Sequence, residues 1–134
     1  MSDHQVVKFS ILVTGNPASS QSASAAYQFC SAALSAGHVI DGVFFYLDGV
    51  FNANHLISPA TDEVNLPSLW ASLAEKHHFP LEVCVSASLR RGVINQQEAE
   101  QLGLVHHNVK APFVLSGLGQ LAELSASCER LVQF

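Results

Sequence analysis

The residue with the most chemical information in this sequence is Cys84. It lies near the end of an apolar run, residues 81–85, that breaks abruptly into small and polar residues followed by Arg90 and Arg91. A thiol at the carboxyl end of a strand, beside amides of a following helix and guanidinium groups, is where a reactive thiolate is stabilised. The pattern predicts a nucleophilic Cys84, with Arg90 or Arg91 stabilising the thiolate or contacting a partner.

A second interpretation makes Cys84 a small buried core residue, as free cysteines often are. Strand alternation leaves both interpretations open, because Cys84 shares a face with Glu82 and Ser86 and lies opposite three apolar residues. A solvated or interface role is equally open for the two arginines.

Two further cysteines are present. Cys30 lies on the apolar stripe of a predicted helix, so we expect it in the core. Cys128 lies beside two charged residues before the last predicted strand, where a structural role is favoured but another stays open. The three cysteines form no CxxC pair, which is typical of free thiols in a reducing compartment.

The histidines and glycines point to no metal or organic cofactor. The pairs 77–78 and 106–107 are adjacent, whereas two ligands on one helix need a spacing of three or four, so we interpret both pairs as solvated. His55 is either a proton donor, a partner contact or a surface residue. The loop 15–20 lacks the P-loop and GxGxxG patterns, and no Gly-x-Ser-x-Gly elbow occurs. A flavodoxin-like cofactor binder is kept as an alternative.

Composition indicates an assembly. The 134 residues are 49% hydrophobic and only 13% charged, against about 25% charged in an average soluble domain. We therefore expect subunit interfaces, the alternative being a monomer covered by Ser, Asn and Gln. A net charge of −5 with six Lys and Arg argues against direct nucleic-acid binding. The start, residues 1–8, resembles no signal peptide and no run is long enough to cross a membrane, which predicts a cytoplasmic location.

Strands alternate with helices along the chain. This order predicts a three-layer α/β sandwich in which a mainly parallel sheet of about five strands is flanked by helices, in one domain spanning residues 1–134. The connection 46–55 holds more apolar surface than a loop needs, which is typical of binding loops. Strands are predicted at 6–14, 39–45, 81–85 and 130–134. Helices are predicted to begin at Ser22 and at Pro67, and two more follow Asn95 and Ser116, which act as their N-caps.

Three separated segments form a combined pattern. They are Val43-Phe44-Phe45-Tyr46 with Asp48-Gly49-Val50, Cys84-Val85 with Arg90-Arg91-Gly92-Val93, and Ser116-Gly117-Leu118-Gly119-Gln120-Leu121. In this order and spacing they resemble the DsrE/TusD family of sulfur-relay proteins. The resemblance runs from about Lys8 to Phe134, and residues 51–60 are more similar to the TusD branch than to the sulfur-oxidation DsrE branch. It implies a DsrE-like, flavodoxin-like fold and a catalytic cysteine at Cys84 that accepts a sulfane sulfur as a persulfide.

The resemblance also implies partners. In the TusD branch a TusA-like carrier donates the sulfur and a TusE-like protein accepts it, on the route to 2-thiouridine at the tRNA wobble position. The subunit works in a heterohexamer with TusB-like and TusC-like chains, and self-association of the isolated subunit stays open. A DsrE-type role in sulfur oxidation and a non-catalytic interaction subunit are the alternatives.

Overall fold

A parallel sheet of five strands organises the computed structural model, which describes residues 5–134. Residues 1–4 lie outside the described residues. They are half of the segment, residues 1–8, whose sequence argues against a signal peptide. The strand order is β4-β3-β2-β1-β5, and every neighbouring pair is parallel. The strands are β1 (Lys8–Val13), β2 (Val39–Phe45), β3 (Leu81–Cys84), β4 (Phe113–Ser116) and β5 (Arg130–Gln133).

The helices begin where the sequence provides caps. Side chains of Ser20, Asn65 and Asn95 each accept a hydrogen bond from a backbone N–H in the first turn of the helix that follows. No helix within residues 5–134 is long and apolar enough to cross a membrane. The α-helices are α1 (Gln21–Ser35), α2 (Leu66–His77), α3 (Val85–Arg90), α4 (Gln96–Gln101) and α5 (Leu118–Ser127), and a 3-10 helix spans Leu47–Ala53.

The two helical layers are unequal. Right-handed crossovers along this strand order put α1 to α4 on one face of the sheet and leave α5 alone on the other. On the first face Phe45 packs edge-on against Trp70 of α2. On the second, the Ser10 hydroxyl donates to the carbonyl of Leu124 in α5 at 2.9 Å. The predicted three-layer sandwich is confirmed, with one thin layer.

Three local predictions need correction. The strand with the cysteine ends at Cys84, because Val85 already begins α3. Ser116 is the last residue of β4, and Gly117 is the N-cap of α5 instead. The connection 46–55 is mostly a buried 3-10 helix and not a loop, because an apolar segment of this kind gains more by packing on the sheet than by facing water.

Gly49 allows that 3-10 helix to lie against the end of β1. A Cβ added at Gly49 would lie 2.0 Å from the carbonyl oxygen of Val13, which is part of the backbone and cannot rotate away. At Gly119, in the first turn of α5, an added Cβ would meet nothing within 4 Å.

We therefore expect Gly49→Ala to lower the free energy of unfolding by about 1–3 kcal/mol through overpacking. The control Gly119→Ala should leave it unchanged or raise it by up to about 1 kcal/mol, because alanine favours helix over glycine. Urea titration monitored by circular dichroism measures both. Equal stability of the two variants would contradict this account of the 3-10 helix.

Candidate functional site

The carboxyl edge of the sheet is organised by one buried amide. Asn52, in the 3-10 helix, has no exposed surface. Its Nδ2 donates to the carbonyls of Gly49 at 2.8 Å and Gly15 at 3.1 Å, and its Oδ1 accepts from Nε1 of Trp70 at 3.2 Å. These bonds join the loop after β1, the 3-10 helix and α2, so that all three keep fixed positions above the strand ends.

Cys84 lies at this edge, on the boundary between β3 and α3. It is the N-cap residue of α3, although its thiol makes no cap hydrogen bond. Only 1% of the residue is exposed. Its Sγ lies 3.5 Å from the hydroxyl oxygen of Ser86, a residue that is itself exposed. Cys84 therefore belongs to the buried hydrophobic core cluster, as the second interpretation of this residue expected, and the exposed Ser86 lies next to its sulfur.

The two arginines lie differently from one another. Nε of Arg91 donates to Oδ1 of Asp48 at 2.8 Å, and its Nη1 donates to the carbonyl of Ala87 at 3.0 Å. Arg90 is exposed on the last turn of α3. Among the described residues, neither guanidinium hydrogen-bonds to Sγ of Cys84. Arg91 ties α3 to the 3-10 helix through Asp48, which fixes the helix that follows the thiol.

Ser116, interpreted from the sequence as a helix cap and as part of a family-like segment, also lies at the site. Ser116 pairs with Cys84 in the parallel ladder between β3 and β4. Side chains of directly paired residues emerge on the same face of a sheet, so the two lie side by side. The Ser116 hydroxyl oxygen is buried and has no hydrogen-bond partner. Only the strand assignment of residues 113–116 would have revealed this pairing.

The remaining candidates lie elsewhere. Cys30 is fully buried in α1, and burial raises the pKa of its thiol to about 12, which confirms the core prediction. Cys128 is partly exposed, with its thiol near the carbonyl of Ser125. His55 lines a cavity of about 460 Å³ together with Glu75 of α2 and Lys110, and Cys84 is not part of its lining.

The histidine pairs are exposed as predicted. His78 has a φ of 59° as the left-handed C-cap of α2, and His106 and His107 lie in the segment before β4. Within residues 5–134, no three His, Cys, Asp or Glu side chains come together to hold a metal ion.

The raised pKa of Cys30 has a measurable consequence. In the folded protein this thiol stays protonated up to about pH 12, whereas in the unfolded chain it ionises near its ordinary value of 9.0. Its contribution to stability is complete below pH 9 and is lost as the pH rises towards 12. We expect iodoacetamide at pH 8.5 to modify Cys30 only after denaturation, as read by peptide mass spectrometry. Modification of Cys30 as fast as Cys128 in the native protein would contradict its burial.

The ion pair between Asp48 and Arg91 should contribute little to global stability. The Asp48 side chain is 60% exposed, and exposed pairs contribute about 0.2–1 kcal/mol. A double-mutant cycle with Asp48→Asn and Arg91→Ala should give a coupling free energy in that range, which falls as salt is added. Arg90→Ala, combined with Asp48→Asn, is the matched control and should show no coupling. A coupling above about 2 kcal/mol would mean that the pair is more desolvated than its exposure indicates.

Comparison with known proteins identifies related chains. The model of the DsrE/DsrF-like family matches residues 7–134. A protein of Proteus mirabilis (strain HI4320) named Sulfurtransferase TusD is 50% identical over 126 residues, which are 94% of this chain and 97% of that protein. The crystal structure of the ychN protein from E. coli matches with a TM-score of 0.75, 15% identity, and coverage of 96% of this chain and 100% of that one. That structural likeness concerns the fold.

Proposed function

For this chain, which belongs to the DsrE/DsrF-like family and is a sulfurtransferase of a sulfur relay, we propose that Cys84 is the residue that carries the sulfur. Cys84 accepts a sulfane sulfur as a persulfide and passes it to a partner protein. The support is its position: it is the cysteine at the carboxyl edge of the parallel sheet, where loops and helix starts form functional crevices. Cys30 lies in the core with a raised pKa, and Cys128 precedes the last strand, away from β3.

The reaction needs no oxidant. The Cys84 thiolate attacks the terminal sulfur of a donor persulfide, a new S–S bond forms, the donor's S–S bond breaks, and its electron pair leaves with the donor as a thiolate. In the second step, a thiolate of the acceptor attacks the sulfur held on Cys84. The S–S bond at Cys84 breaks, and the Cys84 thiolate is regenerated.

The low exposure of Cys84 constrains this proposal. The side of Ser86 is the proposed route of a donor to Sγ, because this exposed residue contacts the sulfur with its hydroxyl. Transfer therefore requires a shift of α3, which begins immediately after Cys84, or a partner that opens the edge. The same enclosure protects a bound persulfide from water and from other thiols. Arg90, exposed on the same short helix, is proposed as a contact for an acidic partner, and Arg91 as a residue that holds α3 in place.

The assembly and pathway belong to the proposal as well. We propose a TusA-like donor, a TusE-like acceptor and a hetero-oligomer with TusB-like and TusC-like chains, acting in tRNA 2-thiouridine formation in the cytoplasm. The likeness to the Proteus mirabilis sulfurtransferase supports a place in a sulfur relay. Free thiols fit a reducing compartment. The shortage of charge supports buried subunit contacts, and half-exposed aliphatic side chains on β4 and at the start of α5, Val114 and Leu118, support them further. A shared sheet and core support one domain over residues 1–134.

The test is sulfur loading with site mapping. The protein is treated with glutathione persulfide, and peptide mass spectrometry locates the added sulfur. We expect one sulfur atom on the peptide with Cys84, no sulfur at that position in Cys84→Ser, and full loading in Cys128→Ser, the control at the other partly accessible thiol. Transfer to a thiol acceptor should then restore the original mass.

Two results would contradict the assignment. Unchanged loading in Cys84→Ser would move the sulfur to another residue. Absence of loading in the parent protein and in its complex with partner subunits, together with normal assembly of Cys84→Ser, would favour a non-catalytic interaction subunit.

A further inference from the structure

The hydroxyl of Ser116 is a buried polar group without a partner beside the proposed sulfur-carrying residue. Buried hydroxyls are almost always hydrogen-bonded, and an exception calls for a physical explanation such as a role in binding or catalysis. Among the described side chains that are not exposed, Ser116 Oγ is the one buried nitrogen or oxygen atom without a hydrogen bond. Ser116 is the ladder partner of Cys84, so the unpartnered hydroxyl is adjacent to the proposed sulfur-carrying residue.

The two serines near the thiol are in different states. Ser86 Oγ already contacts Sγ of Cys84 at 3.5 Å, from the α3 side. Ser116 Oγ, from the β4 side, makes no hydrogen bond to that sulfur or to any other described atom. In the unloaded protein the thiol therefore contacts the Ser86 hydroxyl, whereas the Ser116 hydroxyl has no hydrogen-bond partner.

The outer sulfur of a persulfide on Cys84 would provide the missing hydrogen-bond partner of the Ser116 hydroxyl. Neighbouring strands lie about 4.8 Å apart, and a persulfide sulfur lies about 2.05 Å beyond Sγ. A sulfur attached to Sγ of Cys84 therefore has the length to reach the side chain of its ladder partner, Ser116. A terminal persulfide sulfur is an anionic acceptor when ionised, and a hydroxyl is a donor that rotates to meet it.

We propose that Ser116 donates a hydrogen bond to the terminal sulfur of the Cys84 persulfide and thereby stabilises the loaded form of the protein. This inference rests on the proposed function of Cys84. The hydroxyl acts on the sulfur that is transferred and not on the resting thiol. The Ser116 hydroxyl gains a hydrogen-bond partner only in the loaded protein. The Cys84 persulfide is therefore more stable than a cysteine persulfide without such a donor.

The experiment compares Ser116→Ala with the parent protein after loading with glutathione persulfide. Retention of the sulfur on Cys84 is followed by mass spectrometry in the presence of a fixed concentration of free glutathione. We expect retention at equilibrium to fall about tenfold, or about 1.4 kcal/mol. Ser116→Thr keeps the hydroxyl and should retain sulfur as the parent does. The rate of iodoacetamide modification of unloaded Cys84 should be the same in all three proteins.

A stability measurement separates this role from a structural one. Removing a hydroxyl that has no partner leaves the unloaded protein as stable as before or more stable, so the urea midpoint of Ser116→Ala should not fall. Equal sulfur retention in Ser116→Ala and the parent would overturn the inference while leaving Cys84 as the carrier. A loss shared by Ser116→Thr, together with a lower urea midpoint, would show that packing is responsible and would also overturn it. If the parent itself acquires no sulfur on Cys84, the proposed function fails first, and the role of Ser116 fails with it.

Discussion

The buried side-chain amide of Asn52 is the interaction on which the carboxyl edge of this sheet depends. It uses both of its donor hydrogens and its oxygen within the protein, on Gly15, Gly49 and Trp70. A polar side chain with no exposure is tolerated only when its groups are satisfied in this way. Removing it would take the hydrogen-bond acceptor from the indole of Trp70 and a donor from the carbonyls of Gly15 and Gly49, in the place where the loop after β1 meets the 3-10 helix. The rest of the site is built outward from that helix, through Asp48 to Arg91 and α3.

Much of the fold could be predicted from the sequence because local signals agreed with long-range packing. Strand β2 has an almost uninterrupted apolar run, and it is buried on both faces as such a run requires. The cap at Asn95 combines a side-chain acceptor with a helical pattern after it, and Pro67 lies in the first turn of α2, as predicted. Where the signal was short, the prediction weakened. β4 has only four residues, which include one serine and one half-exposed valine, so no alternation identified it as a strand.

The site was partly accessible to sequence reasoning for a similar reason. Cys84 could be found because the end of an apolar run followed by small residues marks a change of element. The contribution of Arg91 could not be predicted, because its partner Asp48 is 43 positions away and lies in a segment that was interpreted as a loop. The pairing of Ser116 with Cys84 was not predicted, because no strand was predicted at residues 113–116 and register cannot be assigned to a strand that has not been identified.

The helix α3 is too short to be stable by itself. Six residues cannot sustain a helix on their own in water, so α3 depends on its packing against the 3-10 helix and against β3 and β4. Local segments can open at a lower free energy than unfolding of the whole domain requires. Cys84 belongs to β3 by its backbone and is the N-cap of α3, so an opening of α3 would leave the thiol anchored to the strand. For the proposed sulfur carrier, the closed and open positions of α3 would correspond to storage and delivery.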